Sequence, residues 1–297
     1  MAEMNPPVGE LVAPQAPIAL RLFTRQDIPF GLKLTQTAGW NQTAADWQML
    51  LEQSRTGSFI AMLDGTEAGT VTTVSYQDRL HWIGMVLVAE EYRRRGIGRA
   101  LLERAIASVV SQGVVCLDAT PAGKRLYERL GFQEIYELAR YLRKPVQLRP
   151  QPASMCQPLT PERLPWVVEY DLTVFGVDRS AILTALQGRT PQLAFYAEQE
   201  GKLTGYCLGR EGSRYTQIGP VVADSLEVAR NLLLTALQNV QQQEVIVDAA
   251  FHQPGWNEFL GELGFINQRP LTRMSLGTFV LSEQHSKQLA IAGPEIG

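Results

Sequence analysis

Two stretches of this 297-residue chain repeat one another in order and spacing, and that repetition limits the possible folds more than any single motif. Ser58–Leu63 and Gly69–Tyr76 read as an antiparallel pair around the turn signal Asp64-Gly65. Leu193–Glu198 and Leu203–Arg210 do the same around Glu200-Gly201-Lys202. The next strand is Trp82–Val88 in the first stretch and Tyr215–Ala223 in the second, with Ile83-Gly84 echoed by Ile218-Gly219. Each is followed by an amphipathic helix and then a short apolar strand, Val114–Leu117 or Val245–Asp248. A second helix closes on Leu130-Gly131-Phe132 or Leu263-Gly264-Phe265. Prolines 145, 150, 152, 158 and 161 mark a break between the two. The chain therefore reads as two tandem domains, 18–145 and 162–281, joined by a linker at 146–161. Residues 1–17, with four prolines, read as a flexible tail and 282–297 as a C-terminal one.

The junction between strand and helix separates the halves chemically. In the first, the strand runs into Arg93-Arg94-Arg95-Gly96-Ile97-Gly98-Arg99. Glycines at 96 and 98 leave no Cβ between a ligand and the backbone. The first N–H groups of the helix lack intrahelical partners, and the positive end of the macrodipole lies behind them. That arrangement favours an anion such as a phosphate. Nicotinamide dinucleotide binding is a poor fit, since the third glycine of its fingerprint is absent and the loop follows a strand well inside the chain.

The residues after the loop narrow the reading. A parallel strand leads to Asp118-Ala119-Thr120-Pro121-Ala122-Gly123 and a short helix carrying Leu126-Tyr127 before Gly131-Phe132. At these residues the chain resembles the GNAT superfamily of N-acetyltransferases. Arg93-x-x-Gly96-x-Gly98 is similar to that family's acyl-CoA pyrophosphate loop, and Leu126-Tyr127-x-x-x-Gly131-Phe132 to its second hallmark. Thr120 stands where many members have Asn. The Leu117-Asp118-Ala119-Thr120-Pro121 stretch looks like a YitH-like tandem branch.

The resemblance implies an α/β (α+β) fold of two GNAT-like domains. Each would be a mixed, mostly antiparallel sheet, splayed between strands 4 and 5 and flanked by helices. It implies acetyl-CoA as acyl donor, direct attack by an amine on the thioester, and no metal. Val86, Leu87 and Val88 would hold pantetheine through their backbone, with Thr120 nearby. Arg93, Arg94, Arg95, Gly96, Ile97, Gly98 and Arg99 would hold the pyrophosphate. Tyr127 would protonate the departing thiolate. The position that carries a base in several members is Trp82 here, which cannot serve. Asp118, at the end of the parallel strand, is the first candidate base; His81, pointing to the other face, and a water chain are the alternatives. Trp40 and Trp82 are candidate acceptor contacts, and Phe175-Gly176, Arg179 and Leu289–Gly297 are further segments that can approach the cleft.

In the second half the helix opens on Asp224-Ser225-Leu226-Glu227, read as a capping box that places the protein's own carboxylates at the positive helix end. Leu260 stands at the place of Tyr127. That half is expected to bind no acyl-CoA.

Composition sets outer bounds. A net charge of −3 makes the arginine run a local feature and argues against nucleic acid as a partner. Cys116, Cys156 and Cys207 are dispersed, which suggests a reducing, cytoplasmic setting without disulfides. Three histidines and no Cys cluster assemble no metal site. No apolar run approaches the ~20 residues of a membrane span. The expectation is thus an N-acetyltransferase acting on a small-molecule amine, as a monomer or homodimer. A non-catalytic acyl-CoA sensor and a protein or peptide N-acetyltransferase are the alternatives.

Overall fold

The computed structural model describes residues 17–54, 56–146, 155–251 and 253–297. Most of the expected flexible N-terminal tail and half of the 146–161 linker lie outside them. The first half contributes β1 (Ala19–Leu22), α1 (Ile28–Thr37), α2 (Ala44–Glu52), β2 (Phe59–Leu63), β3 (Thr66–Tyr76), β4 (Leu80–Val88), α3 (Ile97–Val109), β5 (Val114–Ala119), α4 (Pro121–Arg129) and β6 (Gln133–Arg143). The second adds β7 (Cys156–Pro158), α5 (Leu164–Phe175), α6 (Ser180–Arg189), β8 (Phe195–Gln199), β9 (Lys202–Glu211) and β10 (Thr216–Ala223). It ends with α7 (Leu226–Gln238), β11 (Val245–Ala250), α8 (Pro254–Glu262), β12 (Ile266–Leu276) and β13 (Gln288–Ala290). β7 falls within the stretch read as linker, so the second repeat opens earlier than residue 162.

The described strands form one sheet in the order β1-β2-β3-β4-β5-β12-β6-β11-β13-β10-β9-β8-β7. Its centre departs from two self-contained tandem domains. β5 pairs with β12 of the other half, through Thr272 opposite Ala119, and β11 pairs with β6, through Val245 opposite Arg143. The halves have exchanged their last strands, which also pair with each other. Equivalent buried ion pairs fasten both exchanges. Arg273 on β12 grips both oxygens of Asp118 on β5 at 2.9 Å. Arg140 on β6 grips Asp248 on β11 at 2.8 and 2.7 Å.

Strand alternation sends side chains to two faces. Phe59, Ala61 and Leu63 of β2 meet Leu101, Leu102 and Ala105 of α3, while the intervening Ile60 joins a different core with Trp47 and Leu50 of α2. That second core crosses the halves without a break, taking in Val167, Ile182, Leu186 and Tyr206. α7 and α8 cover the matching face of the second half with Leu232, Leu233, Trp256 and Leu260.

The segment read as a C-terminal tail is the least tail-like part of the chain. β13 inserts between β10 and β11, and Leu289, Ala290, Ile291, Ala292 and Ile296 are buried. Two glycines at repeat-equivalent positions admit it. A Cβ on Gly219 would sit 2.1 Å from the carbonyl oxygen of Ile291, and one on Gly84 would sit 2.9 Å from Cα of Glu295. The last residues thus run from the strand gap of the second half to that of the first.

Candidate active site

In the first half β4 and β5 run in parallel only as far as Trp82 opposite Cys116, and then diverge. The β4 edge from Ile83 to Val88 consequently faces a cleft of ≈ 550 Å³ in place of a neighbouring strand. Met85 adopts φ 51°, and the β3–β4 register shifts beside it, so β4 bulges at this point. Thr70 Oγ1 donates to the Met85 carbonyl at 2.9 Å and holds the bulge from behind.

α3 begins at the mouth of this cleft. Its cap position is Gly96 in the left-handed region at φ 81°, and no side chain caps the helix, so its first N–H groups stay free. Arg93 fastens the loop to the strand end, its Nε donating to Val88 O at 3.3 Å, and pairs with Glu90 at 3.2 Å. Arg94 and Arg95 are exposed, and Arg99 pairs with Glu103 at 2.7 Å. Gly98 and Arg93 line the cleft; a Cβ on Gly98 would reach Val88 Cγ2 at an ordinary 3.6 Å.

The opposite wall is β5 and α4. Thr120 is the N-cap of α4, and Tyr127 lies one helix face further on with its ring edge-on to Phe132 at 6.0 Å. The ring lies over Gly123, where a Cβ would come within 2.8 Å of it. Burial pushes the Tyr127 phenol up to about 12. Val86, Leu87, Val88, Gly98, Thr120 and Tyr127 are thereby gathered around one cavity.

Two models of the same description, acetyltransferase (GNAT) domain, match this chain, one over residues 54–134 and the other over 167–290. The chain is a tandem GNAT protein of the acyltransferase family. The uncharacterized N-acetyltransferase YitH of Bacillus subtilis is 27% identical over 79% of this chain and 83% of its own length. A holothin acyltransferase from Pseudoalteromonas is 25% identical over 87% of each chain. Among solved structures, a candidate acetyltransferase from Pyrococcus horikoshii superposes with a TM-score of 0.79 at 25% identity, over 94% of this chain and 96% of its own. A tandem GNAT protein from the clavulanic acid pathway shares the fold, with a TM-score of 0.60 at 14% identity over 89% of this chain and all of its own.

Within this tandem GNAT the two gaps are not alike. In the second half β10 and β11 also part after one short parallel stretch, Gln217 opposite Ile246 being the last pair. There β13 fills the opening, with Val221 and Ala249 both opposite Ala290. The gap is thus one strand wide, and the chain's own end occupies it. At the head of α7 the Ser225 hydroxyl accepts from Val228 N at 3.3 Å. The expected capping box is corrected to this single cap, and Asp224 instead accepts from Tyr170 and pairs with Lys287 at 2.7 Å. Leu260, at the place of Tyr127, is wholly buried.

Two other expectations change. Asp118 borders the cleft, yet both of its oxygens are taken by Arg273, and Asp248 makes the equivalent pair in the half without a phosphate loop. Burial pushes its carboxyl up against the pull of Arg273. A pair repeated in both halves is an architectural feature, which corrects the reading of Asp118 as the base. Trp82 is wholly buried and outside the cleft lining; its Nε1 donates to Pro294 O at 3.0 Å, so it holds the chain end and does not face an acceptor. His81 is buried on the other face with Nδ1 2.9 Å from Ser75 Oγ, and burial holds its pKa down.

Trp40 does border the cleft, as do Ala38 and Gln42 of the same loop. The second half sets that loop in place. Asn41 Nδ2 donates to Tyr215 O at 3.0 Å, and its Oδ1 accepts from the N–H groups of Arg214 and Tyr215 at 3.1 and 2.9 Å. Arg269 and Leu271 of β12 and Pro294-Glu295 complete the wall. Sequence reasoning missed Gln42, Arg269 and Glu295. Of these only Glu295 carried a signal, lying in the Leu289–Gly297 segment able to approach the cleft.

Proposed function

We propose that this protein transfers an acetyl group from acetyl-CoA to a primary amine of a small molecule, by direct attack of the amine on the thioester, in the cleft of its first half. The observation that carries this reading is the pair of strand gaps. Where the helix lacks a side-chain cap, the gap is open; where the helix is capped, the chain fills the gap with an extended segment of its own. An extended pantetheine arm fits the first gap as β13 fits the second. Acetyl-CoA supplies an electrophilic carbonyl and a sulfur leaving group.

The chain's own residues then have separate tasks. The open edge at Val86–Val88 offers backbone N–H groups to the acyl oxygen, where fixed donors stabilise developing negative charge. The N–H groups at Gly96–Arg99 receive the pyrophosphate, with Arg94 and Arg95 adding Coulomb attraction. Tyr127 carries its proton at neutral pH and donates it to the leaving sulfur. The dry surroundings that raise the phenol also raise the thiol beside it, which keeps the transfer close to balanced. The second half closes the acceptor side with β12 and positions the Trp40 loop, which favours a small acceptor over a peptide.

The test is calorimetric titration with coenzyme A. A Cβ at Gly98 meets only ordinary contacts, Val88 Cγ2 at 3.6 Å and Leu126 Cδ2 at 4.0 Å, so the Tm of Gly98→Val is expected to stay within a few degrees of wild type. Its side chain projects into the mouth of the cleft, and the Kd for coenzyme A is expected to rise at least about tenfold, the loss of one good hydrogen bond or more. Unchanged affinity in Gly98→Val, or no heat with the wild-type protein, overturns the reading.

A further inference from the structure

Three polar side chains on the acceptor side of the cleft have buried atoms with no hydrogen-bond partner: Gln42 Oε1, Glu295 Oε2 and Arg269 Nε. Unsatisfied buried polar atoms are rare in folded proteins, because each keeps its desolvation penalty without compensation. Three residues that carry such atoms line this one cavity, where a ligand can supply the missing partners. Two of them accept and one donates.

Glu295 is held on every side except that one. Trp82 Nε1 binds the carbonyl of Pro294 at 3.0 Å, Tyr76 Oη that of Ile296 at 2.6 Å, and Arg179 Nη1 that of Gly297 at 3.0 Å. Its Oε1 accepts from Arg210 Nη2, and the carboxylate is 3% exposed. Oε2 therefore has a fixed position and a free lone pair. Arg269 is placed by a bulge in β12, where the register against β6 shifts between Asn267 and Arg269. Its register partner is Arg140, a second cation already committed to Asp248. Burial, with Arg140 beside it, outweighs the attraction of Asp248 and Glu295 and brings the Arg269 guanidinium down to about 10. No salt bridge of Arg269 occurs among the described residues. Asp248 and Glu295 attract it but are paired with Arg140 and Arg210, so a guanidinium kept here without a salt bridge of its own suits an anionic group.

We infer that the acceptor is a small zwitterion, an amine that also carries a carboxylate, with its nitrogen at Glu295 Oε2 and Gln42 Oε1 and its carboxylate on Arg269. This rests on the acyltransferase reading and adds the acceptor's chemical class and the base to it. The ammonium gives one proton to Glu295, leaving a neutral amine. Its lone pair forms the C–N bond to the acyl carbon, and the C–S bond breaks with its electron pair going to sulfur. Tyr127 protonates the sulfur, and the nitrogen loses its second proton to the phenolate. The products are an N-acyl amino acid and a free thiol; Glu295 releases its one proton to solvent.

The experiment measures kcat and KM with acetyl-CoA for amino acids, their carboxamides and their decarboxylated amines. The expected wild-type result is that at least one amino acid exceeds its carboxamide in kcat/KM by about 10–100-fold, the range for a charged hydrogen-bonded pair. Arg269→Met is expected to erase that margin through KM, with a smaller loss on the carboxamides, and to be partly rescued in Arg269→Lys. Because Arg269 makes no salt bridge among the described residues, the Tm of Arg269→Met is expected to equal or exceed that of wild type; a structural arginine would lower it. Glu295→Gln is expected to lower kcat for all three acceptor sets. Equal use of amino acids and carboxamides by the wild type overturns the inference, as does an equal loss on both in Arg269→Met. If coenzyme A binds and neutral amines turn over without that margin, the acyltransferase reading stands and only the acceptor class falls. If coenzyme A does not bind, both fall. Should a variant fail to fold, the wild-type ratio decides alone.

Discussion

Tyr127→Phe is expected to lower kcat by about 10²–10⁴ while leaving the Kd for coenzyme A and the Tm as they are, the range typical of a lost general acid. Three features of the site lead to this separation. The Tyr127 hydroxyl makes no hydrogen bond to any described residue, so its removal leaves no partner unsatisfied. The ring stays seated over Gly123 and against Phe132, and phenylalanine keeps that packing. The proposed diphosphate cradle at Gly96–Arg99 is built from backbone N–H groups at the start of α3 and makes no hydrogen bond to the phenol. Steady-state rates from thiol release, with calorimetry and thermal melts on the same preparations, decide the point. A kcat within threefold of wild type would assign the sulfur's proton to water, and a parallel loss of coenzyme A affinity would make Tyr127 a packing residue.

Asp46→Ala is expected to destabilise the fold by about 3–5 kcal/mol, the usual result of stranding buried charge. That corresponds to a drop in Tm on the order of 10 °C. Asp46 is wholly buried and takes Arg189 at 2.9 Å and Arg210 at 3.1 Å, both from the second half. Its other oxygen accepts from the N–H and hydroxyl of Thr43 at 2.7 and 2.8 Å and closes the capping box of α2. Removing it takes from Arg210 one of its two salt bridges among the described residues, leaving Glu295, and opens the helix start. Asp46→Asn keeps the shape and the cap but not the charge, and is expected to fall between the two. The pH dependence has a definite sign. Burial opposes ionisation, but Arg210 and Arg189 outweigh it and hold the carboxyl below its ordinary range. The stabilisation is therefore complete above the unfolded value of about 3.9 and is lost as pH falls through the lower folded one. Acid melts of wild type and Asp46→Asn should converge below that range; parallel curves would remove Asp46 from the acid transition.

The same residue shows why the halves form one unit. Asp46, Arg210, Glu295, Gln217, Asp248 and Arg140 form a continuous chain of buried polar contacts from α2 through the second half and back to β6. In the second half β13 fills the matching gap, yet that half supplies the wall, the loop anchor and the charge partners of the first.

Local chemistry was legible because it is written in short spacings. Gly96, Gly98 and Tyr127 sit within one strand–loop–helix–strand–helix run, where 2.0 and 3.6 periodicities fix which side chains share a side. The hairpins at Asp64-Gly65 and Glu200-Gly201 were readable for the same reason. The exchange of β6 and β12 was not. A strand's alternation specifies which face is buried and says nothing about its neighbour, and two similar strands suit either slot equally. The reading of Asp118 failed on this point, since its partner Arg273 arrives from 155 residues away. Residues 282–297 looked like a tail because β13 spans only Gln288–Ala290, too short for a periodic signal.

The sequence by itself determined the repeated architecture, the family and the half that keeps a free helix start. Only the tertiary structure decided what completes the site. Arg269 reaches it through the pairing of β12 with β6 and Glu295 through the segment after β13, and a buried atom without a hydrogen-bond partner, a property of the folded environment, marks each.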